Sequence, residues 1–211
     1  MVPDAKQRLL DAAEEIFADY GYEGASVRQI CERAKVNIAG VNYHFGDKEN
    51  LYVEAVKRAH MCSARDMPVD SLAPPGASPL VRLELFIRGM VASMHAPARP
   101  SAMKLMMREM AHPGRAAGTV VDEFIRPLAF HLRDILRELL PHLDEPRLLM
   151  TGFSVIAQCL YYRQNRPVSE LIFGKEHMEA LTADMVADHV VRFTRNAIGV
   201  NPGSHAGGGH E

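Results

Sequence analysis

Tryptophan is absent from this sequence of 211 residues, and cysteine occurs only three times. Cys31, Cys62 and Cys159 are odd in number, lie far apart and include no CxxC pair. A disulfide framework or a cysteine-based zinc site is therefore not expected, and we predict reduced thiols. The ten histidines include no HxH or HxxxH pair, so we predict neither a metal nor a cofactor.

Long apolar runs and a large excess of charge are also missing. No segment approaches the roughly 18–20 uncharged residues of a membrane helix. The first twenty residues contain five acidic residues, which is unlike a signal peptide. The formal net charge of −2 argues against a uniformly basic surface but allows a local basic patch. We therefore predict a cytoplasmic protein without membrane contact.

The sequence is rich in helical periodicity, and it contains no sustained alternation of apolar and polar residues that would predict strands. Gly21 ends the first helix, Ser26 is a good N-cap for the second, and Asp47 caps the fourth. Near the N-terminus we predict the helices Asp4–Tyr20, Val27–Ala34, Ile38–Phe45 and Asp47–Arg65.

A proline-rich linker, Met67–Pro79, precedes longer and more hydrophobic helices. Pro127 is expected to kink one of them, because proline removes a backbone donor and crowds the preceding turn. These predicted helices are Leu80–His95, Ser101–Ala111, Ala117–Leu140, Glu145–Gln164 and Lys175–Ile198. The sequence therefore divides into a group of short helices at 1–48, a longer helical part at 49–200, and a Gly-rich tail at 201–211 that is predicted to be disordered.

The segment Ser26–His44 has the proportions of a helix-turn-helix, with two short helices, a tight turn and a preceding packing helix. In such a unit the second short helix enters the major groove of DNA. From Ser26 to Lys48 the net charge is +2 although the whole chain carries −2. Lys48 also lies in the first turn of a helix, where free backbone N–H groups favour a phosphate.

Three strings in this region resemble the DNA-binding signature of TetR-type repressors. They are Ser26-Val27-Arg28-Gln29-Ile30, Ala34-Lys35-Val36-Asn37, and Val41-Asn42-Tyr43-His44-Phe45-Gly46-Asp47-Lys48-Glu49-Asn50-Leu51. Their mutual spacing makes the resemblance specific over residues 5–55. Later strings around Arg108, Ile125 and Gln158 are similar to the branch of that family that is linked to antibiotic sensitivity and efflux.

The resemblance implies an all-α protein in which a three-helix DNA-binding domain at 1–48 is joined to a larger helical ligand-binding and dimerisation domain at 49–200. It places phosphate contacts on Ser26, Arg28, Tyr43 and Lys48. It places base-reading contacts on Asn37, Ala39, Gly40, Asn42 and His44. Two residues depart from the family pattern, which has glycine at position 35 and tyrosine at position 42. The second departure suggests that Asn42 reads a base.

A methionine-rich region allows two interpretations, core filling or a pliable apolar pocket. In the second interpretation, Arg108 and Glu109 are polar anchors of the pocket, although a surface salt bridge would explain them equally well. The residues predicted to line the pocket are Phe86, Met90, Met106, Met110, Phe124, Phe153 and Tyr161.

The last two predicted helices have broad apolar faces, which favour a homodimer, and the TetR family pairs such helices in a four-helix bundle. No nucleophile elbow, phosphate loop or carboxylate pair is present, so we predict that the protein is not an enzyme. The predicted function is a repressor that binds a palindromic DNA operator and is released by a small hydrophobic effector. The alternative is a DNA-binding regulator without an effector, controlled by a protein partner.

Overall fold

The computed structural model describes residues 4–64, 73–97 and 99–199, and all regular secondary structure within these ranges is helical. Residues 67–72 of the predicted linker and the whole predicted tail lie outside the described residues. The helices are α1 Ala5–Gly24, α2 Val27–Ala34, α3 Ala39–Phe45, α4 Lys48–Ala64, α5 Pro79–His95, α6 Pro100–Ala111, α7 Ala117–Val120, α8 Arg126–Leu139, α9 Glu145–Gln164, α10 Arg166–Phe173, α11 Lys175–Ala180 and α12 Ala183–Ala197. The prediction of an all-α protein is confirmed, and none of the described helices is long and apolar enough to cross a membrane.

Several of the helices begin with a side-chain cap. Asp4 accepts a hydrogen bond from the backbone N–H of Gln7 over 2.7 Å, and Asp144 accepts one from Arg147 over 3.0 Å. The predicted helix Lys175–Ile198 is wrong as a single element, because extended backbone at Thr182 ends it and the Thr182 hydroxyl caps α12. The threonine cap lies in the middle of the apolar periodicity that predicts one continuous helix.

Where the sequence predicts a kink before Pro127, the structure has a single π-helical turn, Val121–Ile125, between α7 and α8. A proline ring collides with the carbonyl group four residues earlier, here that of Glu123, and the wider π turn relieves such crowding.

Helix α10 was not predicted at all. Pro167 resembles a helix breaker, but it lies in the first turn of α10, where its missing N–H costs nothing.

The chain divides into two compact units. The first comprises α1–α4, α6, α7 and the π turn, and the second comprises α5 and α8–α12. The predicted boundary after residue 48 therefore falls inside the first unit. The core of the first unit includes Leu9, Phe17, Ile30, Val41, Leu51 and Leu105.

Two buried carboxylates hold α6 within the first unit. Glu14 accepts hydrogen bonds from Arg99 over 2.5 Å and from the Ser101 hydroxyl over 2.7 Å. Glu109 accepts from the Tyr52 hydroxyl over 2.6 Å and from the Gly114 N–H over 2.9 Å. Since Glu109 is only 2% exposed, its interpretation as half of a surface salt bridge is wrong. Burial, reinforced by Glu109, raises the pKa of Tyr52.

The second unit has its own core, and Cys159 is part of it. Burial raises the pKa of the Cys159 thiol to about 12, so this residue behaves as an apolar side chain. Cys31, in the first unit, is also a buried free thiol. In the part of the chain that the structure describes, no three His, Cys, Asp or Glu side chains converge as metal ligands. The larger members of the second core are Leu83, Phe86, Ile87, Leu132, Ile135, Leu136 and Val190.

Candidate nucleic-acid interface

A capping box fixes the beginning of α2. The Ser26 hydroxyl accepts from the N–H of Gln29 over 3.2 Å, while the Gln29 side chain accepts from the N–H of Ser26 over 2.8 Å. This arrangement satisfies free N–H groups at the helix start. The prediction of Ser26 as an N-cap is confirmed. Ile30, Cys31 and Ala34 anchor the other side of α2 in the core.

The turn between α2 and α3 passes through a left-handed residue. Lys35 has φ 54° and ψ 46°, and it is the sole non-glycine residue with positive φ in the described ranges. Its N–H donates to the carbonyl oxygen of Glu32, and the N–H of Val36 donates to that of Cys31. This is the usual way in which a helix ends before a glycine. The TetR signature has glycine at position 35, and the left-handed backbone there explains why, since glycine adopts this conformation most easily.

Helix α3 is anchored on one side and exposed on the other. Val41 and Phe45, four residues apart, are buried, whereas Ala39, Asn42 and Tyr43 are exposed. Positions 39, 42 and 43 share a face of a helix because they are three and four residues apart. The exposed fraction of Tyr43 reaches 85%, which leaves its hydroxyl group free to meet a ligand.

The remaining predicted base-reading residues are tied to the protein. The Asn37 side-chain oxygen accepts from the Ala39 N–H over 3.0 Å and so caps the start of α3. His44 is half-buried, and its ring lies edge-on to that of Tyr43 at 4.9 Å. Gly40 lies against Val36, with no room for a side chain between them. Asn42 is therefore the exposed amide of α3 with no hydrogen bond to another described residue.

Two basic side chains predicted to hold phosphates flank α3 in sequence. Arg28 is exposed near the start of α2 and donates to Glu32 over 2.8 Å, and this hydrogen bond raises the pKa of the guanidinium. Lys48 begins α4, directly after Asp47, which accepts from the Asn50 N–H over 2.7 Å. The Lys48 ammonium nitrogen lies 4.3 Å from the centroid of the Tyr22 ring. Such a cation–π contact orients the charge at the helix start.

One basic residue beside this helix start was missed by the sequence analysis. Arg115 lies between α6 and α7, yet its guanidinium carbon is 4.6 Å from the Tyr22 ring centroid and its Nη1 atom donates to Glu49 over 2.8 Å. No local pattern in the sequence could have revealed it, because more than sixty residues separate Arg115 from the start of α4.

The residues predicted to form an apolar pocket are divided between the two units. Met106, Met110 and Phe124 belong to the first unit, and Phe124 lies edge-on to the His60 ring at 4.9 Å.

The other four, Phe86, Met90, Phe153 and Tyr161, belong to the second unit. Phe86 and Met90 are core residues there, whereas Phe153 and Tyr161 are exposed on α9. These four therefore do not line one enclosed cavity in that unit. Helical periodicity detects apolar faces, but it does not show which face meets the core.

Comparison with known families accounts for both parts of the chain. Residues 9–55 match the TetR family of bacterial regulatory proteins, and residues 79–199 match the C-terminal domain of the HTH-type transcriptional dual regulator CecR. CecR of Shigella flexneri is 27% identical over 173 residues, which cover 75% of each chain.

Other relatives match over a shorter segment or in fold. The repressor AcnR of Corynebacterium glutamicum is 42% identical over 50 residues, about a quarter of each protein (24% of this chain and 27% of AcnR). A TetR-like transcriptional regulator from Rhodococcus sp. RHA1 shares the fold with a TM-score of 0.61 at 16% identity, over 95% of this chain and 100% of its own.

These families consist of transcription regulators rather than enzymes, and their matches cover both the exposed face of α3 and most of the second unit. The chain belongs to the TetR family of DNA-binding transcription regulators and carries a C-terminal domain of the CecR type.

Proposed function

We propose that this regulator is a ligand-responsive repressor that acts in the cytoplasm, binds a palindromic operator as a homodimer and leaves it when a small hydrophobic effector binds. The DNA-binding part rests on one observation: Asn42 and Tyr43 are exposed on the side of α3 that faces away from the buried Val41 and Phe45. A helix about 10–12 Å wide fits a major groove of about 12 Å.

The contacts divide into two kinds. Asn42 is the proposed base reader, since an asparagine amide can pair with adenine through two hydrogen bonds. Tyr43, Lys48, Arg28 and the Ser26 hydroxyl are proposed to contact phosphates, which position the protein without reading sequence. Ala39, Gly40, Asn37 and His44 complete the proposed interface, with Asn37 and Gly40 also needed for the local fold.

The homodimer is supported by an exposed apolar surface on the second unit. On α9 the exposed residues Leu149, Phe153 and Tyr161 recur at multiples of four, and on α12 Met185 and Phe193 do the same. Helix α10 adds Leu171, which is 88% exposed. Apolar side chains exposed in this number on neighbouring helices indicate a protein interface.

The proposed dimer explains how one protein reads a palindrome. Two copies related by a two-fold axis present two α3 helices to half-sites about 34–36 Å apart. Phe153 and Tyr161, predicted from the sequence as pocket residues, fit this interface better because of their exposure. The pocket for the effector is then proposed to involve the methionines of α6 and Phe124, which lie in the first unit.

Release by an effector requires a ligand that prefers a different separation of the two α3 helices. The moving element is proposed to be α4, because it begins at Lys48 and packs against α1 and α6 within the first unit. Linkage then requires that operator DNA weakens effector binding by the same factor as the effector weakens operator binding.

Selection of fragments of the source genome bound by the purified protein tests this proposal. We expect enrichment of palindromic sites, and a screen of small hydrophobic compounds against one such site should yield a compound that releases the protein. Recovery of sites without two-fold symmetry would contradict the dimeric mechanism. A saturating screen without any releasing compound would favour control by a protein partner.

A further inference from the structure

We propose that Arg115, which lies outside the helix-turn-helix motif, is a positioning residue for DNA binding. It neutralises Glu49 and shares the Tyr22 ring with Lys48, and so sets the electrostatic potential at the start of α4. This inference rests on the proposed role of Lys48 as a phosphate contact.

Residues from α1, α4 and the segment between α6 and α7 meet around the ring of Tyr22. The Tyr22 ring lies edge-on to Tyr52 at 5.2 Å and is stacked at 6.3 Å from Phe17. The same ring is contacted by the Lys48 ammonium at 4.3 Å and by the Arg115 guanidinium at 4.6 Å. Two cations therefore lie within cation–π range of one ring, and the ring itself is fixed by the core.

Acidic residues make this arrangement necessary. Lys48 is flanked in sequence by Asp47 and Glu49, so these three residues at the start of α4 have a net charge of −1 by themselves. Such a charge would repel a phosphate from the helix N-terminus, which otherwise attracts anions. Arg115 donates to Glu49 over 2.8 Å, while its other acidic neighbour, Glu23, is 4.0 Å away. Because Glu49 is paired with Arg115, it does not offset the positive charge of Lys48.

Buried contacts hold Arg115 in this position. On one side, the Gly114 N–H donates to the buried carboxylate of Glu109, which also accepts from Tyr52. On the other side, Ala116 is completely buried. The backbone on either side of Arg115 is therefore fixed to the first unit.

A mutant cycle on the full-length protein tests the inference. The probe is a fluorescent duplex of random sequence, about 30 base pairs long, titrated between about 50 and 200 mM salt. We expect Arg115→Gln to weaken binding about threefold, in line with one exposed charge pair, and Arg115→Lys to restore most of the affinity. In the Glu49→Gln background, Arg115→Gln should change the affinity by less than about twofold.

The remaining outcomes separate the inference from the function on which it rests. If Arg115→Gln weakens binding equally in both backgrounds, Arg115 does not act through Glu49 and the inference is overturned. It is also overturned if Arg115→Gln has no effect while Lys48→Ala weakens binding. If Lys48→Ala itself changes neither the affinity nor the salt dependence, the proposed DNA contact at the start of α4 fails. Thermal unfolding of each variant shows whether the fold is intact.

Discussion

Gly40 and Val36 determine how α3 leaves the preceding turn. A Cβ atom on Gly40 would lie 2.7 Å from Cγ1 of Val36, closer than real Cβ atoms come to their neighbours. The family resemblance places Gly40 among the base-reading residues. The structure gives a separate reason for a glycine at this position, since α3 packs directly against its own turn.

We therefore expect Gly40→Ala to destabilise the fold by about 1–3 kcal/mol, the usual cost of overpacking. The expected readout is a lower midpoint of urea unfolding, together with weaker DNA binding because α3 is displaced. Ala39→Gly, at an exposed position of the same helix, is the control and should cost no more than about 0.5–1 kcal/mol, the lower helix propensity of glycine. If Gly40→Ala unfolds at the same urea concentration as the wild type, the close contact does not constrain α3.

Lys35→Gly should stabilise the protein. The left-handed conformation of Lys35 costs about 1–2 kcal/mol for an L-residue, and glycine adopts it without that cost. Glycine has more conformational entropy in the unfolded chain, and this offsets part of the gain. We therefore expect a net increase of about 0.5–1 kcal/mol in the free energy of unfolding. Chemical denaturation measures it. A destabilised Lys35→Gly variant would contradict the φ angle described above.

Arg28→Ala and Lys48→Ala should weaken binding to operator and to random DNA alike. Removal of each phosphate contact should reduce the slope of log affinity against log salt by about one. The effect of Arg28→Ala should be the smaller one, because Arg28 is already paired with Glu32. Unchanged salt slopes in both variants would rule out these phosphate contacts.

Asn42→Ala should behave differently. Removal of a base-reading amide at this position should lower operator affinity by about 1–3 kcal/mol and leave affinity for random DNA almost unchanged. Binding to both duplexes by fluorescence anisotropy measures the difference. An equal decrease on both would instead identify Asn42 as a backbone contact, the role expected for the tyrosine that the family signature has there.

Phe193→Asp should dissociate the dimer and leave each protomer folded. Phe193 is 54% exposed on α12, and a charge in a dry interface costs several kcal/mol. Sedimentation should show monomers, and a DNA-binding titration should show that these monomers no longer bind the operator. Phe130→Asp, the same change at an exposed position of α8, is the matched control and should stay dimeric. A wild-type protein that sediments as a monomer at micromolar concentration would contradict the proposal.

A charge at Val190 should have a different effect from a charge at Phe193. The apolar periodicity places Val190 and Phe193 together on one broad face, but Val190 is completely buried in the core of the second unit. Val190→Asp should therefore unfold that unit rather than separate two folded protomers. Circular dichroism of the two variants distinguishes these results.

Residue types alone were enough to predict the local features of the DNA-binding part. Ser26 and Asp47 are capping residues, Gly21 interrupts the first helix, and Gly46 follows α3 with a positive φ angle. These signals act within one or two turns of chain, so they place α2, α3 and the start of α4 without reference to the rest of the protein. The TetR signature contains these same local residues, and the resemblance is therefore specific over this short segment.

Side chains that meet across long distances in sequence could be identified only from the folded protein. The sequence allows Glu109 to be either a polar anchor of a pocket or half of a surface salt bridge, but the residue is buried, and Tyr52 and the Gly114 N–H satisfy its carboxylate. Arg115 had no assigned role until the fold brought it to Glu49 and Tyr22. Val190 and Phe193 look equivalent in sequence, but one meets the core and the other does not. Packing between distant elements determines burial and charge pairing, and a periodic pattern in one helix contains no record of its neighbours.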